Sequence, residues 1–74
     1  TWNILGSASL DDVAEAVGIK LPVERYDTYN GYVCDIIGRI PNHGESFTCE
    51  ADGLKIQVHT VENHCIGETT VTLA

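Results

Sequence analysis

Six side chains in this 74-residue chain have the chemistry to hold a transition metal or to act as nucleophile and base: Cys34, Cys49, Cys65, His43, His59 and His64. Zinc-type sites show close ligand pairs such as C-x-x-C or H-x-x-x-H, and neither spacing occurs. His59 and His64 straddle a turn across which they could face each other. A cysteine nucleophile needs a lowered thiol pKa and an oriented base. Cys65 follows His64, but adjacent side chains on a strand point to opposite faces. The cysteines are therefore read as small core residues, Cys49 above all because it shares a strand face with Phe47. Asp11, Asp12 and Glu15 form a carboxylate cluster whose positions are those of a helix's first turn and solvated face. No catalytic residue, no metal ligand and no cofactor is assigned on this basis.

The elements that position these residues are legible from periodicity. Thr1 to Leu5 is apolar and β-tolerant, with Trp2 as a core lid, and Gly6-Ser7 ends it. Ser9 then caps an apolar-periodic run over Leu10 to Val17, which Gly18 terminates, with Ile19 placed to fold back on the last turn. Pro22 keeps the connector Lys20 to Arg25 out of helix. Thr28 is the N-cap of a second helix, and Tyr29, Tyr32, Val33, Ile36, Ile37 and Ile40 lie on one stripe of it. Asp35 and Arg39 stand four apart on its polar side, and Gly31 suggests close backbone approach to another element rather than a phosphate cradle. Pro41 stops the helix. From Ser46 the pattern alternates: Phe47 to Ala51, the hairpin signal Asp52-Gly53, Leu54 to His59, a turn at Glu62-Asn63-His64, and a last strand over about Cys65 to Leu73. Parity breaks near Thr60-Val61 and again at Gly67. The fold class is a two-layer α+β sandwich: a short N-terminal strand, two helices, then an antiparallel three-stranded meander with one face under the helices.

Composition narrows the function classes. Four Lys+Arg against 11 Asp+Glu give a net charge of −7, and the cations Lys20, Arg25, Arg39 and Lys55 are scattered. Nucleic acid and anionic membrane surfaces require clustered positive charge, so neither is expected as a partner. No apolar run reaches the roughly 20 residues that span a bilayer. Three cysteines without a pairing pattern fit a reducing compartment, and a cytoplasmic location is expected. The chain begins at Thr1 and not at methionine, so residues 1–74 are expected to be a piece of a longer protein.

The order of motifs resembles the CorC/HlyC transporter-associated domain. The resemblance rests on the opening strand with its glycine turn, Leu10-Asp11-Asp12, Val17-Gly18-Ile19, Leu21-Pro22, Tyr26-Asp27-Thr28, Gly31, Ile37-Gly38-Arg39-Ile40-Pro41 and Gly44-Glu45. It covers nearly the whole chain and departs at Cys65, where members usually carry a basic residue, and in the polar run Gly67 to Thr70. The resemblance implies that residues 1–74 are a cytoplasmic domain at the C-terminal end of a larger protein, related to part of a flavin-binding fold and found in hemolysin-like or magnesium and cobalt efflux proteins with paired CBS domains and a membrane segment. It implies a non-catalytic role that modulates ion transport, with those other domains, or a second copy in a homodimer, as partners. Tyr29 and Tyr32, at the start of the apolar stripe, are the residues expected to meet a partner. Two alternatives stand beside it: a sensor of a nucleotide or flavin-like small ligand, and an enzyme using Cys65 or Cys34.

Overall fold

The computed structural model describes Thr1–Ala74. Strand β1 (Trp2–Leu5) is followed by helices α1 (Leu10–Val17) and α2 (Tyr29–Ile37), then strands β2 (Phe47–Ala51), β3 (Leu54–Val58), β4 (Val61–Glu62), β5 (Cys65–Ile66) and β6 (Glu68–Leu73). Four strands form one antiparallel sheet in the order β1-β6-β3-β2, while β4 and β5 pair separately. The two-layer α+β class read from the sequence is the one observed.

Local chemistry accounts for each boundary. The Ser9 hydroxyl accepts from the Asp12 amide and starts α1; Gly18, at φ 71°, ends it. Ile19 packs against the core just beyond this cap, as the sequence suggests. Thr28 caps α2 through the Gly31 amide, and the two caps lie side by side in an antiparallel bridge between Ser9 and Thr28. Asp52 and Gly53, both at positive φ, give the mirror-image turn that matches strand twist between β2 and β3; Asn63 and His64 do the same between β4 and β5.

Three expectations are corrected. The apolar stripe of α2 stops at Ile37, because Gly38 adopts φ 71° and its amide folds back on Asp35; Ile40 lies beyond the helix at 68% exposure. For the same reason Arg39 does not pair with Asp35 along a helix face, and instead meets Glu45 in the following turn. The third meander strand, read as continuous over Cys65 to Leu73, is broken at Gly67, where its amide reaches the Thr60 carbonyl at 3.0 Å. The parity breaks read at Thr60-Val61 and at Gly67 are thus the two sides of one kink, which turns β4–β5 out of the main sheet.

Burial follows the pattern. Ile4, Ile56, Val58 and Val71 from the sheet and Leu10, Val13, Tyr29 and Val33 from the helices form one cluster, with Trp2 packed at its margin. The kinked hairpin adds Val61 and Ile66 to it.

Candidate functional site

A set of hydrogen bonds joins the turn after β1, the start of α2 and the β4–β5 hairpin. Gly6 is buried there: its amide donates to the Gly67 carbonyl (2.9 Å) and its carbonyl accepts from the Asn30 amide (3.0 Å). The Asn30 side-chain oxygen in turn accepts from the Ile66 amide at 2.8 Å, and the Cys34 thiol lies 3.7 Å from the same oxygen. On the far side the Gly44 amide donates to the Val61 carbonyl, Asn63 donates to His43 Nδ1, and His64 Nδ1 lies 3.0 Å from the Pro41 carbonyl. A carbonyl only accepts, so His64 carries its proton on Nδ1, whereas His43 Nδ1 is bare. Sequence reasoning placed Gly6 only as the end of the first strand and missed its junction with Asn30, because a backbone-to-backbone approach across the fold leaves no periodic signal.

The chemistry-capable residues are dispersed. His59 bonds Thr70 and His64 bonds Pro41, so the two do not face each other across the turn. No group of three or more His, Cys, Asp or Glu side chains converges. No histidine ring is hydrogen-bonded to a cysteine, and burial pushes the thiols of Cys34 and Cys49 above the usual range, which disfavours the thiolate. Cys49 is half-buried against the core beside Phe47; Cys65 is exposed.

The N-terminus of α2 is closed to anions. Around the start of α2, Tyr29 donates to Ala8, Asn30 to Gly6 and Gly31 to Thr28, so the amides that would cradle a phosphate are occupied. Gly31 is not at a close approach either: a Cβ there would meet only Thr28 Oγ1 at 3.6 Å and Tyr26 at 4.0 Å. Gly31→Ala is therefore expected to stabilise the domain by about 0.5 to 1 kcal/mol, through helix propensity and a less flexible unfolded chain, as read from a urea melt.

A cleft of ≈ 440 Å³ opens between the connector and α2, with Tyr26, Tyr32, Asp35 and Asp52 on its walls. The Tyr26 hydroxyl donates to Asp35, and Tyr32 donates to Asp52 at 2.5 Å. Its carboxylate bond, then burial, raises Tyr26; burial first, then Asp52, raises Tyr32. Lys20 and Arg25 line the same cleft beside Glu24, Asp35 and Asp52, so its walls carry charge of both signs. Tyr29 and Tyr32, expected as partner contacts, are 0% and 2% exposed. They start the stripe that packs on the sheet, so the core takes the surface a partner would need.

In the turn after α2, the Arg39 guanidinium grips both Glu45 oxygens while the Asn42 amide donates to the same carboxylate. These hold the Glu45 carboxyl down at about 2. A depressed carboxyl contributes stability that is present above its unfolded pKa and is lost as pH falls toward the folded one. Acid melts are expected to lose stability between about pH 4.5 and 2, and Glu45→Gln to flatten that slope.

These features define a small α+β domain whose polar groups are spent on holding its own parts together. The chain matches the CorC_HlyC family, described as the transporter associated domain, over residues 1–74, and it belongs to that family. It is 32% identical over 73 residues to the magnesium and cobalt efflux protein CorC of Escherichia coli, covering 99% of this chain and 24% of that protein. Among solved structures, the transporter associated domain CorC_HlyC from Nitrosomonas europaea superposes with a TM-score of 0.81 at 32% identity, covering 99% of this chain and 86% of that one. A functionally unknown conserved protein from Haemophilus influenzae gives 0.82 at 32%, covering 97% and 86%. The chain thus spans about a quarter of the length of the CorC relatives it matches, which are larger proteins. No helix is long and apolar enough to cross a membrane.

Proposed function

We propose that this chain is a non-catalytic regulatory domain, the terminal unit of a longer ion-transport protein, acting at the cytoplasmic side by contact with the parent's other domains. The observation that carries this reading is the family match across the whole chain, to a relative named for magnesium and cobalt efflux and four times as long. The raised thiols of Cys34 and Cys49 and the dispersed histidines support a role without catalysis.

A graft tests it. In an Escherichia coli strain whose CorC lacks the matching segment, insertion of these 74 residues is expected to restore growth in added cobalt salts. A chimera present in the membrane at the normal level yet no better than the truncated protein would overturn the reading. So would a truncated protein that is already fully active.

A further inference from the structure

Strand β1 is an edge of the sheet, and it lacks the devices that usually protect edges. Its residues Trp2-Asn3-Ile4-Leu5 include no charge and no proline, whereas the opposite edge, β2, carries Glu50. Antiparallel pairs alternate between bonded and non-bonded. Gly6 bonds Gly67, so Ile4 and Trp2 face β6, while Asn3 and Leu5 turn their amides to the free side. The Leu5 carbonyl, also outward, takes the Ala8 amide, leaving the Asn3 amide, the Asn3 carbonyl and the Leu5 amide open. Beside this edge runs an apolar groove of ≈ 420 Å³ between β1 and α1. Ile4, Ala8, Val13 and Ala16 line it, and the two alanines leave room for an incoming side chain.

We propose that this edge and groove accept an extended, cationic peptide segment as an additional strand. A strand laid on β1 would satisfy the three open backbone groups and place alternate side chains into the groove. Charge identifies the occupant. Asp12 is the one ionised residue lining the groove, none of the four cations reaches it, and Asp11 and Glu15 are exposed on the same helix. A second copy would bring another −7 and another Asp12 to the same place, which disfavours edge-to-edge pairing of two such chains. The proposal gives the interaction reading a place and a partner chemistry, and rests on that reading for its biological setting alone. Its test uses the 74-residue chain without transport, so a failed graft and a failed peptide are separate results.

The probe is acetyl-Lys-Lys-Val-Thr-Val-Lys-Lys-amide, in which the two valines and the two terminal lysines share the face turned to the groove and Asp12, titrated into the isotope-labelled chain and followed by amide NMR shifts. Saturable shifts are expected at Asn3, Leu5, Asp12 and Ala16. Affinity is expected to fall about tenfold or more for a peptide N-methylated at alternate residues, which loses the ladder bonds, and for one with glutamate in place of lysine. Ala16→Trp, at an exposed position, fills the groove and is expected to abolish binding; if that variant does not fold, Asp12→Asn is expected to weaken binding about threefold at low salt. Gln57→Trp on the open sheet face is expected to change nothing. Shifts confined to that face, equal binding of the N-methylated peptide, or no saturation at millimolar peptide with the chain folded would overturn the proposal. Concentration-dependent shifts at Asn3 and Leu5 without peptide would overturn it too, assigning the edge to a second copy.

Discussion

Gly6→Ala is expected to lower the stability of the domain by about 3 kcal/mol or more. A Cβ at this position would stand 1.9 Å from the Ile66 carbonyl oxygen and 2.7 Å from its carbonyl carbon. Both atoms are backbone, so no rotamer change relieves the overlap. Gly6 cannot retreat, because its amide is bonded to Gly67 and its carbonyl to Asn30 at the head of α2. Ile66 cannot retreat either, because its own amide is held by the Asn30 side chain. The overlap must then be relieved by separating β1 from the β4–β5 hairpin, with loss of the burial of Ile66 and Val61. Overpacking of this kind costs about 3 kcal/mol or more where the surroundings are fixed. A domain of this length is stable by roughly 4 to 11 kcal/mol, so the change removes a large part of the total. Urea denaturation with amide NMR checks it: a native spectrum with a midpoint near that of the parent would mean that the junction is soft. The contrast with Gly31→Ala is diagnostic, since both add one methyl group and the expected signs are opposite.

That contrast also shows what the sequence can and cannot reveal. Caps, turns and periodicity are local, and they were legible: Ser9 and Gly18 bound α1, Asp52-Gly53 forms the first hairpin, and the layer architecture follows from which faces are apolar. Two glycines looked alike as text, yet a Cβ at Gly31 would make only ordinary contacts with Thr28 and Tyr26, while Gly6 touches the backbone of a residue 60 positions away. Contacts of that separation carry no periodic signature. Tyr29 and Tyr32 are buried for a related reason. A stripe reports that a face is apolar, and in a domain this small the sheet claims that face before a partner can. Arg39 shows the limit at a helix end, where a four-residue spacing implies a pair that exists only if the helix continues through Gly38. The β1 edge was hidden as well, because strand order is decided by long-range pairing of β1 with β6.

Thr69→Val is expected to cost more than Tyr29→Phe, although each removes a single hydroxyl. Thr69 is the only polar residue among the buried set, at 2% exposure, and its Oγ1 lies 2.7 Å from the Ile4 carbonyl and 3.1 Å from the Tyr29 hydroxyl. Thr69 has one proton, and the Ile4 carbonyl can only accept it, so the Tyr29 hydroxyl is the donor in the second bond. Burial accordingly pushes the Tyr29 phenol up to about 12. Replacing Thr69 with valine keeps the shape but leaves the Tyr29 hydroxyl, in a side chain with 0% exposure, without an acceptor. A buried polar group stranded in this way costs about 1 to 3 kcal/mol. Replacing Tyr29 with phenylalanine removes the stranded group itself and leaves Thr69 still bonded to Ile4, so the cost is about 0.5 to 1.5 kcal/mol. The double variant has no unpaired hydroxyl and is expected to be more stable than the sum of the two losses, by about 1 kcal/mol. Chemical denaturation of the four proteins measures this directly, and strictly additive losses would show that the two hydroxyls do not depend on each other. Because Ile4 lies on β1, Thr69 on β6 and Tyr29 on α2, this pair of bonds adds a buried side-chain tie to the backbone bonds that join the exposed edge strand to the sheet and to the helix above it. Loosening it should therefore show first as faster amide exchange along β1.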